Sequence, residues 1–406
     1  MTIKHSSHFY TGVRLALLII SAVFSVLLLV VIVGRGFLLL NVDGAGSENL
    51  VGADFSYFYV AGQLVEHSNV AELYDVEAYN SKVADIRNID AFPRPSPWSY
   101  PPTIFPLVAS LTLFDFQTAW ILWTVFGVVA FAFISRVGTG SWNAASMALL
   151  SPFFLLTLMI GQIGIILAVL LIGGLLLYRR GYRVSAGLVW GLLIIKPHLA
   201  LGLPLLVLRD RQWSTVAGAS ASISVLVLVS WVVWPDAWGL LFASLGNNVE
   251  QVLVAGDERL TKMATFYSLF MYLGVPSGIA MALHAVLAAV AIGLGIRIIA
   301  NSSSIIHQLS VLVILPAMVS PYLFHNDLVG MAFLVALASA YFGGRHYNGI
   351  GSLVFLLLLL LTILIILDTF LFVHLCTPFF LLLLWVINTD KDDSLSINDA
   401  HRSEEA

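Results

Sequence analysis

Asp54 stands in the run Gly52-Ala53-Asp54-Phe55-Ser56-Tyr57-Phe58-Tyr59, an acid set among aromatics. Partial burial in such surroundings raises a carboxyl pKa, which suits the group to general-base work. The same residue precedes a helical pattern running to about Glu66, where Asp is also a good N-cap. The two roles are compatible. Lys196, in Lys196-Pro197-His198, falls inside an apolar stretch. An ionisable side chain at membrane depth points to function, and an ammonium beside a helix break can bind a phosphate. The plainer alternative is a lysine that snorkels to the surface. His198 fits either a ligand contact or a hydrogen-bonded core histidine. His325-Asn326-Asp327, after Ser320-Pro321-Tyr322, is a compact polar cluster that could bind a sugar, orient a base or hold a metal, or else form a plain solvated turn. Gln162 occupies a glycine-flanked tip, Gly161-Gln162-Ile163-Gly164, and is ambiguous by itself.

Other chemistries find no support. There is no glycine-rich phosphate loop, no His-Glu-x-x-His helix and no Ser-His-Asp set. His325 and Asp327 are two positions apart, poor spacing for two metal ligands from one helix face, and no metal ligand set is apparent. The single cysteine, Cys376, allows neither a disulfide within one chain nor a cysteine metal site. No cofactor is called for.

The elements that must position these residues are membrane helices. Hydrophobic residues make up 59% of the chain and charged residues 10%, against roughly 25% charged in soluble domains. Mean hydropathy is +0.95. Many apolar runs reach the length of about 18 residues needed to cross a hydrocarbon core of roughly 30 Å. They are continuous rather than alternating, which excludes a barrel. The fold class is an all-α polytopic membrane protein. The run at about residues 15–40 is too long for a signal-peptide core and reads as a retained anchor. After it comes a polar extracytoplasmic loop, residues 41–102, with nine Asp or Glu against three Lys or Arg. Residues 1–388 form the integral membrane domain. Residues 389–406 carry six acids and form a disordered acidic cytoplasmic tail. A net charge of −4 gives no reason to expect a nucleic-acid partner.

Lys and Arg in short loops orient the chain. Arg14, Arg136, Arg179, Arg180, Arg183, Arg209, Arg211, Arg297 and Arg345 lie at run ends. If all are cytoplasmic, an even number of crossings separates successive sites. Between Arg136 and Arg179 a hairpin fits, with its tip at 161–164. Between Arg183 and Arg209 each arm has about 11–13 residues, roughly 16–20 Å, too short to span. A hairpin broken at Pro197 places Lys196 below the membrane surface, lining a cavity. The rival is one span with Lys196 mid-bilayer. The hairpin pattern gives about twelve membrane helices, an outside loop over residues 235–262, and a short non-crossing helix at 103–114. It also sorts Asp54, Tyr100, Gln162, Lys196, His198, His325 and Asp327 to one extracytoplasmic face.

Taken in order, these residues resemble glycosyltransferase family 87. The similarity runs through Ala53-Asp54-Phe55, Tyr59-Val60-Ala61-Gly62, Leu73-Tyr74-Asp75 and Tyr100-Pro101-Pro102. It continues through Gly161-Gln162, Ala186-Gly187-Leu188 to Gly191, Lys196-Pro197, and Ser320-Pro321-Tyr322 with His325 and Asp327. It covers about residues 52–334. The resemblance implies a GT-C-like bundle in the bacterial inner membrane that takes a hexose, typically mannose, from a polyprenyl-phosphate donor. The sugar passes with inversion to an extracytoplasmic glycan or glycolipid acceptor. It further implies that Asp54 is the general base. Lys196 and His325 are candidates for the donor phosphate, and His198, Asp327, Gln162 and Tyr100 complete the donor-binding set. One departure is Lys262-Met263-Ala264-Thr265, where an Asn-x-Ser pattern is expected, so the acceptor can differ from that of familiar members. The alternatives are a secondary transporter, suggested by broken hairpins at Gln162 and Lys196, and a surface-polysaccharide polymerase or ligase. The transporter lacks a two-fold repeat here, and polymerases tend to carry their large outer loop late in the chain.

Overall fold

The computed structural model describes residues 51–90, 96–249, 260, 262–342, 378 and 380. The expected first anchor, the expected pair of spans over about residues 350–386 apart from residues 378 and 380, Cys376 and the acidic tail lie outside the described residues. Those described are helical, and the one extended pairing among them is an isolated antiparallel bridge between Met263 and Phe324. The helices are α1 Ala53–Glu66, α2 Val70–Tyr74, α3 Val76–Arg87, α4 Phe105–Leu111, α5 Phe116–Thr139, α6 Trp142–Leu149, α7 Pro152–Ile160 and α8 Gly164–Arg179. They continue with α9 Arg183–Gly191, α10 Leu203–Arg209, α11 Trp213–Val233, α12 Pro235–Val249, α13 Phe266–Tyr272, α14 Ser277–Asn301, α15 Ile305–Val319 and α16 Gly330–Phe342.

Helices α5, α11 and α14 are long and apolar enough to cross a membrane, and the bent pair α6–α7 makes a possible fourth span. Each long helix buries a narrow stripe of mostly small residues and turns larger ones outward. In α14 the buried stripe is Ala280, His284, Ala288, Ala291, Gly295, Ile298 and Ile299, whereas Ile279, Leu283, Val286 and Val290 are exposed. Lipid is as apolar as a leucine side chain, so close approach of small residues holds such helices together. Between α9 and α11 the approach is closest: a Cβ on Gly187 would strike the carbonyl of Thr215, and one on Gly218 that of Val184.

The described residues do not reach about twelve spans. Residues 164–179, 183–195, 197–209 and 305–319 are apolar helical stretches of 10–17 residues. The first three are bounded by the turn at 161–164 and the break at Lys196. Pro152 follows the joint of α6 and α7, where the axis bends by 52°. The segment expected as an outside loop after Pro235 begins with α12. The expected amphipathic helix from Asp54 is instead buried along most of its surface, ten of its fourteen residues being buried. It lies under α4, where Gly62 meets the Val108 carbonyl, and the Tyr59 hydroxyl donates to the Phe114 carbonyl at 2.9 Å.

The bundle has two polar poles. At one, the Arg179 guanidinium donates to the carbonyl of Ser303 at 2.6 Å and to Gln308 at 2.9 Å. Arg209 donates to the carbonyls of Ile299 and Ser302 and pairs with Asp210 at 2.6 Å. The Tyr178 hydroxyl donates to Asp210 at 2.7 Å, while Arg183 lies 3.8 Å from the centre of the Tyr178 ring. Arg183 and Arg209 therefore share a pole, and the segment between them goes out to Lys196 and returns. This is the hairpin, not the single span. Helices α5 and α8 run parallel, with Gly127 against Ile165, Ile134 against Gly173 and Gly138 against Leu176, so Arg136 joins the same end. The sixteen residues of α8 put the other pole about 24 Å away.

Candidate active site

The opposite pole collects the remaining polar residues. Gly52, in the left-handed region at φ 67°, is the N-cap of α1, and its N–H donates to the Met159 carbonyl at 2.8 Å. Asp54 is thus inside the first turn and not the cap. There the helix dipole favours a carboxylate. The side chain is committed elsewhere: Gln162 Nε2 donates to Asp54 Oδ2 at 2.9 Å.

Gln162 reaches Asp54 because its turn packs on the start of α1. Gly161 has φ 74°, and a Cβ there would lie 2.6 Å from the Cβ of Phe55. On the other side of the turn, a Cβ on Gly164 would overlap the carbonyl of Asn326. Four residues thereby register the Asp54 helix against the Asp327 turn. Gln162 Oε1 accepts from the Tyr100 hydroxyl at 3.1 Å and from the Ile163 N–H at 2.8 Å. The Tyr100 ring is wedged between Trp98 and Phe58, at 5.2 and 5.4 Å between centroids.

Lys196 lies on the far side of Tyr100. Its backbone is extended between two short 3₁₀ turns, residues 192–195 and 197–200, because Pro197 cannot continue the first. The ammonium pairs with Asp327 Oδ1 at 2.6 Å and sits 5.6 Å from the centre of the Tyr100 ring. The pair is buried, with side-chain exposures of 9% for Lys196 and 0% for Asp327. The Phe324 N–H donates to Asp327 Oδ2 at 3.3 Å. His198 Nε2 is 3.9 Å from that oxygen, too far for a hydrogen bond, and has no other partner among the described residues. His325 stands slightly apart, its Nδ1 3.2 Å from the carbonyl of Lys262. That contact extends the zipper made by the Met263–Phe324 bridge and the Ala264 N–H, which donates to the Leu323 carbonyl at 2.8 Å.

Six of the seven candidates form one connected array running Asp54, Gln162, Tyr100, Lys196, Asp327 and His198; His325 adjoins it at the rim. Asp54, Tyr100, Gln162, His198 and His325 keep partial solvent access. The array is thus reachable from outside the bundle rather than sealed within it. Burial pushes the Asp54 carboxyl above its usual range, and the Gln162 hydrogen bond with the charges of Lys262, Lys196 and Arg87 offset this only in part. Burial pushes Asp327 up as well, but Lys196 and His198 more than reverse it and hold the group at about 2. The two carboxylates of one array thus have opposite characters, one more easily protonated than usual and one locked as an anion. Burial lowers His325 and favours the neutral ring.

Sequence reasoning missed Arg87 and Lys262 as groups whose charge reaches Asp54. No spacing ties Arg87 to it. The tie is α3 folded back on α1, where the Tyr79 hydroxyl donates to the Tyr57 carbonyl at 2.8 Å and the Tyr57 hydroxyl to Asn80 at 3.2 Å. Lys262 was visible only as a departure from the expected Asn-x-Ser pattern. Among the described residues no three His, Cys, Asp or Glu side chains converge as a metal site would require.

A family model for glycosyltransferase family 87 matches residues 98–321, more than half of the chain. The match includes Tyr100, Gln162, Lys196 and His198; it begins after Asp54 and ends before His325 and Asp327. No curated protein and no solved structure matches the chain. With its apolar spans and a connected polar array at one end of the bundle, the chain belongs to glycosyltransferase family 87 and is a membrane glycosyltransferase.

Proposed function

We propose that the protein moves a hexose, mannose by family resemblance, from a polyprenyl-phosphate donor to a hydroxyl of a glycan or glycolipid acceptor, with inversion, on the extracytoplasmic side of the bacterial inner membrane. One observation carries the reading: a carboxylate with a raised pKa, Asp54, and a buried ammonium, Lys196, are gathered around a single residue, Tyr100, the first through Gln162 on its hydroxyl and the second over its ring. Displacement at a sugar carbon needs a base on one face and charge stabilisation of the leaving group on the other.

Asp54 takes the proton of the acceptor hydroxyl as its oxygen bonds to the anomeric carbon. The bond from that carbon to the phosphate oxygen breaks, and its electron pair leaves with the polyprenyl phosphate. The proton on Asp54 then passes to solvent. Lys196 stabilises the charge gathering on the departing phosphate. Asp327 keeps Lys196 charged and aimed, and His198, whose Nε2 beside it is unpartnered among the described residues, supplies a second donor when protonated or in the matching tautomer. The gathering of Arg136, Arg179, Arg183 and Arg209 at the far pole supports placing this array on the extracytoplasmic side.

The test is transfer of labelled mannose from polyprenyl-phosphate-mannose by purified protein in lipid nanodiscs, with lipid and glycan fractions of the source membrane as acceptors. Asp54→Asn should reduce kcat by about 10²–10⁴-fold, the usual range for a general base, with unchanged yield of folded protein. Wild-type rates in that variant would remove Asp54 from the reaction.

A further inference from the structure

Both functional atoms of the Gln162 amide are engaged within the protein. Its carbonyl oxygen accepts two hydrogen bonds, from the Tyr100 hydroxyl and the Ile163 N–H, and so fills both of its acceptor sites. Turning the amide over would set its NH₂ group against the Ile163 N–H and its oxygen against a carboxylate. The orientation is therefore fixed by the network, and Nε2 must point at Asp54 Oδ2. Asp54 Oδ1 takes no hydrogen bond among the described residues. One N–H of the amide is all that remains for any ligand.

We propose that Gln162 is a positioning residue for Asp54: its locked amide clamps one carboxylate oxygen and leaves the other turned to the acceptor hydroxyl. This reassigns Gln162 from donor binding to orientation of the base, and it rests on the reading of Asp54 as that base. The turn around it is built for the purpose. Gly161 lies directly on Phe55, the residue after Asp54, and Gly164 lies on Asn326, the residue before Asp327. A shift of the turn would move the base relative to the phosphate-binding pair, so the same four residues set the distance between the two halves of the site. Tyr100 acts on both halves, through its hydroxyl to Gln162 and through its ring face to Lys196.

The charged and titratable groups acting on Asp54 come from several elements: Lys262, Lys196 and Arg87, with the phenols of Tyr79 and Tyr100 nearby. All stay in place when Gln162 alone is changed. Loss of the amide hydrogen bond, which lowers the carboxyl pKa, then raises it. A base works ionised, so the acid limb of kcat/KM moves to higher pH.

Gln162→Leu and Gln162→Glu are compared with wild type in nanodiscs, using polyprenyl-phosphate-mannose as donor. The expected result is a fall in kcat of about 10²-fold, as for a small misplacement of a reacting group. The donor KM should stay within about twofold, as expected when only transition-state interactions are lost. The acid limb should be displaced upward, further in Gln162→Glu, where a second carboxylate faces the first. Tyr100→Phe should cost less in kcat through this route than Gln162→Leu, because the Ile163 N–H still holds the amide. A raised donor KM with unchanged kcat and an unmoved acid limb would overturn the proposal and return Gln162 to donor binding.

A second readout does not depend on transfer. The pH at which wild type and Asp54→Asn diverge in thermal stability reports the ionisation of Asp54, and it should move upward when measured in the Gln162→Leu background. If Gln162→Leu fails to fold, the near-isosteric Gln162→Glu serves for both measurements. Should Asp54→Asn retain transfer while this stability midpoint still moves, the base assignment fails and the coupling of Gln162 to Asp54 stands. An unmoved midpoint sinks the coupling whatever the activity.

Discussion

The two poles of the bundle use similar residue types to opposite ends. At the basic pole, Arg179 and Arg209 direct N–H groups to backbone carbonyls at the joint between α14 and α15, and Asp210 is shared by Arg209 and Tyr178. These are half-buried charges fastened to carbonyls at a helix end that would otherwise lack partners. At the opposite pole the ion pair is buried, its ammonium lies against an aromatic face, one histidine nitrogen has no partner among the described residues, and a second carboxylate is held by a single amide. The basic pole spends its charges on helix-end carbonyls and on one another, whereas the other pole sets a buried ion pair and a second carboxylate among partly exposed side chains. The contrast says where substitutions should cost stability, where activity, and where both.

The sharpest break in that contrast is Lys196→Met. It leaves the Asp327 carboxylate buried without its ammonium, which costs about 3–5 kcal/mol for a buried pair broken on one side. Pairing it with Asp327→Leu removes both charges, and replacement of a buried pair by apolar residues is often neutral or stabilising. Thermal unfolding in detergent should therefore show the single variant strongly destabilised and the double variant restored. Transfer activity should be absent in both. If the double variant recovers transfer, the pair is cohesive like the basic pole and the contrast between the poles collapses.

How much of this was legible in the sequence varies by element. That long apolar helices such as α5, α11 and α14 exist was legible from apolar runs and basic run ends, because a lipid-facing helix must be continuous and apolar. They also gave the Lys196 hairpin, since Arg183 and Arg209 are too close in sequence for two full spans. The juxtaposition of Tyr100 with both Gln162 and Lys196 was not legible. It depends on the rotation of three elements far apart in the chain, and no periodicity records it. The role of Gly52 as the N-cap was hidden by a better capping residue two positions later. Gln162 was ambiguous for the same reason: an amide can give or take, and only its partners decide.

The two site carboxylates also separate under titration. Asp54 has a folded-state pKa above its unfolded value, so carrying it ionised costs stability at neutral pH, and that cost disappears as pH falls through the folded pKa. Asp54→Asn should therefore stabilise the protein at neutral pH, with the gain fading on acidification. Asp327 is lowered from 3.8 to about 2, so its stabilising contribution is complete above the unfolded value and is lost as pH falls from there towards about 2. Asp327→Asn should destabilise at neutral pH by an amount that shrinks over that window. Thermal unfolding against pH in nanodiscs reads both. Curves of the same sign would mean that the two carboxylates do not differ in kind.

The smallest effect belongs to the basic pole and completes the comparison. Arg209→Ala removes two hydrogen bonds to the carbonyls of Ile299 and Ser302 and the pair with Asp210, yet both charged side chains of that pair keep 23% exposure. Water can take over part of what is lost, so the cost is about 1 kcal/mol. The turn joining α14 to α15 then loosens about 24 Å from the polar array, one length of α8 away. Transfer per folded molecule should stay within about twofold of wild type, with the acid limb of the pH profile unmoved. A large fall in kcat at unchanged stability would mean that α15 carries strain from Ser302 to Ser320 and on to Asp327. The two poles would then be one coupled device rather than a fastening and a site.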